Sequence, residues 1–193
     1  MRPIVVGILA LQGDFSLHQN SFKRIGIHTK FIRYPEELEK CEGLVLPGGE
    51  STTFINLLQK TGLFTAIQKF AETRGVMGTC AGCIALAANI HGDGIKTLNV
   101  IDINVERNAY GRQVDSFVDQ IKLSIFQDKP EFEGIFIRAP KILSVGSNTE
   151  VLGYHGHEIV MARNERILVT TFHPELTKDV RIHRYFVDSF LMR

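Results

Sequence analysis

Short apolar runs alternate with amphipathic stretches through the first half of this chain, and this alternation constrains the fold more than any other feature. The runs "PIVVGILAL" and "GLVLPGG" are rich in branched side chains and short enough to be buried strands. Between such runs, residues 16–25 and the segments "STTFINLLQKTG" and "LFTAIQKFAETRG" have helical periodicity, and each stops at a glycine. Strands that alternate with helices pair in parallel and are covered on both faces. The sequence therefore predicts an α/β fold, a three-layer sandwich around a mixed, mostly parallel central sheet.

The second half of the chain is strand-rich from Asn99 onward and has few helical stretches. We expect these strands to extend the sheet in antiparallel fashion, and residues 180–192 to close the chain as an amphipathic helix. No internal repeat, low-complexity tract or linker divides the 193 residues, so a single domain over residues 1–193 is predicted. The strand-like segments are "NVIDINVERNAYG", "GIFIRAP", "ILSVGS", "HEIVMA" and "ILVTTFHPE".

Composition indicates a small ligand rather than a nucleic acid or a membrane. The formal net charge of +1 offers no general attraction for a polyanion or an anionic lipid surface. Arg2 precedes an apolar run, as in a signal peptide, but no small-residue cleavage site follows, and no apolar stretch approaches the ~20 residues of a membrane helix. Three cysteines do not make a disulfide framework, so the expected compartment is a reducing cytoplasm.

The segment "VMGTCAGCIAL" places Cys80 between two glycines, after a predicted strand and before the helical run "CIALAAN". Gly78, Cys80 and Gly82 form a G-x-C-x-G pattern, the thiol counterpart of the G-x-S-x-G elbow, in which glycines permit a strained strand-to-helix turn. The start of a helix and a neighbouring imidazolium both favour the thiolate form of a cysteine. The pattern therefore predicts that Cys80 is a nucleophile.

Two further segments supply the groups that a cysteine nucleophile needs. Gly48 and Gly49 end a predicted strand and can turn backbone N–H groups toward an oxyanion, although the same glycines also suit an ordinary loop. His173 and Glu175 lie two residues apart on a strand-like run, so they would share a face and the carboxylate could orient the imidazole. Each segment ends a predicted strand, where open α/β sheets place their sites. Together they favour nucleophilic acyl transfer through a thioester.

In order and spacing, "PGGEST", "GTCAG" and "FHPEL" resemble the class I glutamine amidotransferases, whose Cys-His-Glu triad hydrolyses glutamine to glutamate and ammonia. Further segments resemble the glutaminase subunits of pyridoxal 5′-phosphate synthases more closely, and the resemblance covers nearly the whole chain. The flavodoxin-like α/β fold of this family agrees with the fold predicted above. The further segments are "LALQGDF" at residues 9–15, "VERNAYGRQVDSF" at 105–117, "IFIRAP" at 135–140 and "HRYF" at 183–186.

The resemblance implies a role for each matching residue, with no cofactor and no metal. Cys80 would be the nucleophile, His173 the base and acid, and Glu175 the residue that orients it. An arginine suits the α-carboxylate of glutamine, but the sequence leaves open which group Arg107 and Arg138 each reach. The implied oxyanion hole consists of Gly48, Gly49 and the amide of Ala81, and the implied glutamine-binding residues are Gly49, Glu50, Ser51, Arg107, Arg138 and Ala139.

The resemblance also implies a protein partner. In this family ammonia passes to a separate synthase subunit, which builds it into pyridoxal 5′-phosphate from sugar phosphates. This chain has no G-x-x-x-x-G-K phosphate loop, which suits a subunit that delivers nitrogen only. The segment around Gln12 is expected to contact the synthase subunit, and docking is expected to complete the oxyanion hole, so the isolated chain would be nearly idle.

Three alternatives remain open for the function as a whole. The chain could be the glutaminase subunit of another amidotransferase, or a non-catalytic regulatory subunit of the same fold. It could also be a hydrolase that uses the same triad on a γ-glutamyl peptide. An intact set of Cys80, His173 and Glu175 argues against the regulatory subunit.

Two cysteines and two histidines also allow more than one interpretation. Cys83 departs from the family, which more often has an apolar residue there. It is either a C-x-x-C redox partner of Cys80 or, as we favour, a small apolar side chain in the helix. His155 and His157 with Glu158 suggest a metal site, but two histidines are too few for structural zinc, and a solvated strand or loop is favoured.

The closing helix, which contains "HRYF", carries Arg181 and Arg184. It either faces a partner or is simply amphipathic, and the sequence does not separate these interpretations.

Overall fold

A mixed β-sheet with helices on both faces forms the framework of the protein. A computed structural model describes residues 3–92, 94–107, 109 and 116–192. The strands in these ranges are β1 (Val5–Leu9), β2 (His28–Ile32), β3 (Gly43–Leu46), β4 (Gly75–Thr79), β5 (Ala87–Ile90), β6 (Ile101–Glu106), β7 (Ser116–Leu123), β8 (Glu131–Ile137), β9 (Lys141–Val145), β10 (Glu150–His155), β11 (Glu158–Arg163) and β12 (Ile167–Thr170). The α-helices are α1 (Phe15–Arg24), α2 (Ser51–Lys60), α3 (Leu63–Ala71), α4 (Ala81–Leu86) and α5 (Arg181–Phe186), and α5 continues as a π-helical turn at Val187–Leu191. Short 3-10 helices lie at Pro35–Lys40 and Pro174–Leu176.

The strands divide into a parallel part and an antiparallel part. In the order β2-β1-β3-β4-β12, all neighbouring strands are parallel. Beyond β12, the strands β11, β10, β7 and β8 follow in antiparallel pairs. A branch adds β5 parallel to β6, with β9 antiparallel to both β6 and β11. The predicted α/β fold with a mixed central sheet and antiparallel additions is confirmed.

Strand β3 shows why helices cover both faces of the sheet. Leu44 and Leu46 pack into an apolar cluster with side chains from α2, α3 and α4. Val45, which points to the opposite face, packs into a second cluster with side chains from α1 and α5. Each side chain of this kind contributes roughly 1.5–3 kcal/mol when it is fully buried. A strand that is apolar at every position is therefore stable only between two helical layers.

Some strands differ from the sequence-based expectation. The helical run after Cys80 stops at Leu86, and Ala87–Ile90 forms β5, because pairing with β6 satisfies its backbone and outweighs the helix propensity of alanine. Strands β7 and β10 were not predicted, since β7 is largely exposed and polar and a glycine interrupts β10. Part of the segment "VERNAYGRQVDSF", namely Asn108 and residues 110–115, lies outside the described residues.

None of the helices in the described part of the chain has the length and apolar character needed to span a bilayer.

Candidate active site

The carboxyl ends of four neighbouring parallel strands meet at one pocket. Strands β1, β3, β4 and β12 lie next to one another in the sheet, and open α/β sheets bind ligands at this edge. The pocket has a volume of about 260 Å³, which suits a substrate smaller than most drug-sized ligands. The structure brings seven of the predicted site residues together in its lining: Gly49, Glu50, Ser51, Cys80, Arg107, Arg138 and His173.

Cys80 lies on a strained turn between β4 and α4. Its φ of 48° and ψ of −104° are unusual for any residue except glycine. Such a backbone costs on the order of 1–3 kcal/mol and is found mainly at functional sites. The turn brings α4 so close to β3 that a Cβ on Gly82 would lie 2.0 Å from the carbonyl oxygen of Leu46, so only glycine fits there. The Cys80 Sγ lies 3.7 Å from the carbonyl oxygen of Ile137. This local geometry is that of a nucleophile elbow.

His173 is held by Glu175 through a turn rather than through a strand. Strand β12 ends at Thr170, so the two residues do not share a strand face as their spacing predicted. Instead, Glu175 belongs to the 3-10 helix at Pro174–Leu176, which brings its Oε1 to 2.7 Å from His173 Nδ1. Because Pro174 has no N–H, it suits the end of a strand. With Nδ1 occupied, the other ring nitrogen of His173 is left for Cys80.

Burial and hydrogen bonding act in opposite directions on this pair. Burial by itself would lower the pKa of His173, but hydrogen bonds with Cys80 and Glu175 outweigh it and raise that pKa above its ordinary value. Burial would raise the pKa of Glu175, but the neighbouring His18 and the hydrogen bond from His173 lower it below its usual range. The pair is therefore an imidazolium and a carboxylate, and an imidazolium is a common partner of a cysteine thiolate.

The loop after β3 lies directly against the imidazole. A Cβ on Gly48 would lie 2.4 Å from His173 Cε1 and 3.4 Å from Cys80 Cβ, so a side chain at this position would overlap the ring. Gly49 has a φ of +142°, a conformation that favours glycine. The backbone of these two glycines therefore borders both Cys80 and His173.

The segment after β1 supports this loop from the other side. Gln12 Nε2 donates a hydrogen bond to the carbonyl oxygen of Glu50 at 2.8 Å. The backbones approach so closely that a Cβ on Gly13 would lie 1.9 Å from the carbonyl oxygen of Gly48. These contacts tie the Gln12 segment to the backbone of residues 48–50.

Glu50, Ser51 and Arg107 form a connected set at the start of α2. The carboxylate of Glu50 caps the helix by accepting hydrogen bonds from the N–H groups of Thr52 at 3.0 Å and Thr53 at 2.6 Å. Hydrogen bonds from Thr53 and Thr52 lower the pKa of Glu50 to about 2, against the smaller effect of burial. Arg107 Nη1 donates to Thr52 Oγ1 at 2.6 Å and to Ser51 Oγ at 3.3 Å. The guanidinium is thus fixed at the rim of the pocket.

Arg138 reaches the pocket from the end of β8. Its φ of 45° is again unusual for a residue other than glycine. The N–H of His173 donates to the carbonyl oxygen of Ile135 at 2.9 Å, which ties this strand to the loop after β12. The side chain of Ala139 is buried in the core and is not part of the pocket lining. Ala81, at the start of α4, is also fully buried.

Three residues that the sequence did not indicate also line the pocket, namely Asp14, Ile84 and Ile137. Asp14 lies at the start of α1 in the segment that follows β1. Ile84 lies four residues after Cys80, on the helix α4 that follows it. That spacing, and the position of Ile137 directly before Arg138, were signals that could have found two of the three.

The other residues considered in the sequence analysis do not line the pocket. Cys83 is fully buried, and burial raises the pKa of its thiol, which argues against a redox pair with Cys80. His155 Nε2 lies 2.9 Å from Asp119 Oδ2. Among the described residues, no group of three or more His, Cys, Asp or Glu could hold a metal ion. Arg181 of the closing helix is bound to Asp179, with 2.7 Å between Nη2 and Oδ2.

Comparison with known proteins shows similarity over almost the whole chain. The SNO glutamine amidotransferase family matches residues 8–192. A "Pyridoxal 5'-phosphate synthase subunit PdxT" from Thermosipho africanus is 47% identical over 184 residues, which cover 95% of this chain and 97% of that protein. A protein of the same name from Pelotomaculum thermopropionicum is 48% identical, over 95% of this chain and 94% of its own. A solved structure titled "Crystal structure of glutamine amidotransferase" matches with a TM-score of 0.89 at 44% identity, over 95% of this chain and 97% of that one.

Proposed function

The chain belongs to the SNO glutamine amidotransferase family, and from that premise we propose that it is the glutaminase subunit of a pyridoxal 5′-phosphate synthase. It hydrolyses L-glutamine to L-glutamate and ammonia and delivers the ammonia to the synthase subunit. The observation that carries the proposal is one pocket that joins Cys80 on its strained turn to the imidazole of His173. The whole chain, residues 1–193, acts as one glutamine amidotransferase domain.

In the first half-reaction, Cys80 forms a thioester with the substrate. Its thiolate sulfur attacks the carboxamide carbon of glutamine, and the C=O electron pair moves to the oxygen. The imidazolium of His173 then gives its proton to the amide nitrogen, so that the C–N bond breaks and ammonia leaves. Glu175 keeps the ring in the orientation in which this transfer is possible, as the carboxylate of a catalytic triad does.

The oxyanion of this intermediate is stabilised by backbone N–H groups. Gly48 and Gly49 supply donors from the loop that borders the imidazole, and Ala81 supplies the amide next to the nucleophile, where elbow enzymes place theirs. One such donor contributes about 2.7–4 kcal/mol to the transition state in other enzymes.

In the second half-reaction, water hydrolyses the thioester. His173, now neutral, takes a proton from the attacking water. The tetrahedral intermediate collapses and expels the sulfur as thiolate. Glutamate leaves, and the proton of its new carboxyl group passes to solvent, which returns Cys80 and His173 to their starting charges.

Glutamine is held at the rim of the same pocket. Arg107 and Arg138 present the positive charge that an α-carboxylate requires, and Arg107 is already fixed by its hydroxyl partners. Ser51 and Glu50 contribute at the start of α2, and the carboxylate of Glu50 is committed to capping that helix. Ala139 can contribute only through its backbone, because its side chain is buried.

Docking of the synthase subunit acts on the oxyanion loop through the Gln12 segment. The support for this is the direct contact of Gln12 and Gly13 with the backbone of residues 48–50. A partner that moves this segment completes the oxyanion hole, so the isolated chain is nearly idle. The protein works in the cytoplasm, a reducing compartment that suits its three free cysteines.

Release of ammonia from glutamine tests this function directly. It is measured with and without a pyridoxal 5′-phosphate synthase subunit, with Cys80→Ala as the control. Release that appears on adding the partner and disappears in the variant is expected. Vigorous release by the chain alone would contradict the coupling, and no release in either setting would contradict the function. Turnover of a γ-glutamyl peptide but not of free glutamine would point to the alternative hydrolase.

A further inference from the structure

Two buried histidines continue the line of the triad behind Glu175, on the side away from the pocket. His18 Nε2, on α1, lies 3.4 Å from Glu175 Oε2. His18 Nδ1 lies 3.0 Å from Nε2 of His183 on α5. Both histidines have no exposed surface. Because each ring must place two polar nitrogens in the interior, the pair requires an explanation beyond packing.

The contacts of the two rings restrict where their protons are. If His183 Nε2 donates to His18 Nδ1, a neutral His18 carries its proton on Nε2, facing the carboxylate of Glu175. His183 Nδ1 is then a lone pair, which agrees with its having no hydrogen-bond partner in the described part of the chain. In the reverse arrangement a lone pair of His18 would face the carboxylate, and an N–H of His183 would be buried without an acceptor. The first arrangement satisfies more groups and is favoured.

Burial keeps both rings neutral. It lowers the pKa of His18, although the charge of Glu175 acts in the opposite direction. It also lowers the pKa of His183 to about 3, and His18 acts in the same direction. Thr79, whose Oγ1 lies 3.3 Å from His18 Nε2, is uncharged. The other charged groups that act on the two rings are His173, Asp14 and Arg24.

We propose that His18, oriented by His183, is a positioning residue that holds the second carboxylate oxygen of Glu175 through its Nε2–H. This inference rests on the proposed glutaminase function and concerns the same site. Glu175 Oε1 is engaged by His173, whereas Oε2 makes no hydrogen bond in the described ranges, and His18 Nε2 is hydrogen-bonded to Thr79 Oγ1 at 3.3 Å while it faces that oxygen. The separation of 3.4 Å is long, as hydrogen bonds in unliganded active sites often are before substrate tightens them.

Loss of this donor should weaken the triad through Glu175. A buried carboxylate oxygen without a donor is costly as long as the group is charged. Glu175 would then take up a proton and lose its hold on the imidazolium of His173. Since that imidazolium is the partner of the Cys80 sulfur, the nucleophile would be less reactive.

Glutamine and asparagine at position 18 make a matched pair that separates this role from packing. Both side chains are neutral amides, but glutamine places its NH₂ near the position of Nε2, and asparagine near that of Nδ1. In the complex with the synthase subunit, we expect His18→Gln to keep kcat within about threefold, and His18→Asn to lose about 10- to 100-fold. His18→Phe, which fills the volume without a donor, should match His18→Asn. KM for glutamine should not change, because His18 does not line the pocket.

A second measurement, made on the isolated chain, reports on the pair formed by His173 and Cys80. The rate at which iodoacetamide alkylates Cys80 is measured against pH, and Cys41 and Cys83 interfere little because burial raises the pKa of both thiols. The wild type and His18→Gln should react at similar rates over the same pH range, and His18→Asn and His18→Phe more slowly. Cooperative thermal unfolding of each variant checks that it folds.

Two outcomes would overturn the inference: an unchanged kcat and alkylation profile in both His18→Asn and His18→Phe, or a loss in His18→Gln as large as in His18→Asn. If the variants at position 18 do not fold, the same comparison is made at His183. There glutamine keeps the donor and phenylalanine removes it, and equal kcat in both would overturn the inference. A wild-type protein that releases no ammonia would refute the glutaminase function instead, and the alkylation profile would still test the role of His18.

Discussion

A single methyl group added at Gly48 should separate the chemistry of this site from the stability of the fold. A Cβ at this position would lie 2.4 Å from His173 Cε1, and ordinary contact begins at 3.4 Å, so the imidazole or the loop must move by roughly 1 Å. Gly48 does not have the left-handed φ that favours glycine, so the backbone itself accepts alanine. The overlap with the ring is therefore the cause of the effect that we expect.

The expected loss is large for activity and modest for stability. A misplacement of about 1 Å in a catalytic group can cost about 10²-fold in rate, which corresponds to roughly 2.7 kcal/mol of transition-state stabilisation. Overpacking of a close-packed region typically costs about 1–3 kcal/mol of folding free energy. Since Glu175 holds Nδ1 of the ring at 2.7 Å, an imidazole displaced by the new methyl group must also strain that hydrogen bond.

The assay is glutamine hydrolysis by Gly48→Ala in the complex with the synthase subunit, together with urea unfolding of the isolated chain. Gly94→Ala is a matched control, because a Cβ there meets nothing within 4 Å. It should keep its activity and change the free energy of unfolding by no more than about 0.5 kcal/mol. A Gly48→Ala enzyme within about threefold of the wild type would refute the reasoning, because a shift of this size should cost far more.

Four further results are expected. Glu175→Gln should lower kcat on the order of 10⁴-fold, as the corresponding amide does in a Ser-His-Asp triad. Rapid-quench assays of glutamate release measure this loss, and a much smaller loss would contradict the role of Glu175. Arg107→Ala should raise KM for glutamine about 10- to 100-fold, the equivalent of one charge-assisted hydrogen bond, and an unchanged KM in steady-state kinetics would remove it from the substrate site. Cys83→Ala should keep kcat within about threefold before and after mild oxidation, whereas a redox role would make the wild type alone sensitive to the oxidant. Because the pKa of His173 is raised in the fold, its imidazolium contributes stability that is complete below pH 6.5 and is lost as pH rises through the folded value. Urea unfolding at neutral and alkaline pH should therefore show a larger loss for the wild type than for His173→Gln.

The parallel part of the sheet was predictable because burial on both faces leaves a simple sequence signal. Strands such as β3 and β4 are apolar at nearly every position, and the helices between them have clear periodicity. The glycines around Cys80 were informative for a related reason, since close approach of backbones excludes every other residue there. Strand β7 was not predictable, because most of its side chains are exposed and polar, although it pairs locally with β8, the next strand along the chain.

The sequence does not reveal the contacts that form only when distant segments pack together, nor the local turn that joins His173 to Glu175. The spacing of His173 and Glu175 predicted their proximity, but the 3-10 helix at Pro174–Leu176 produces it rather than a strand. His18 and His183 lie 165 residues apart and become neighbours only when α1 packs against α5. No local pattern distinguishes such a pair from exposed histidines on two amphipathic helices.

Transfer of the amide nitrogen of glutamine into the final product tests the central claim most directly. The chain, the synthase subunit and its sugar-phosphate substrates are incubated with glutamine labelled with ¹⁵N at the side-chain amide, in the presence of excess unlabelled ammonium. Mass spectrometry of the pyridoxal 5′-phosphate should show ¹⁵N in the ring with the wild type, and none with Cys80→Ala. Product that carries only unlabelled nitrogen with the wild-type chain would contradict the account.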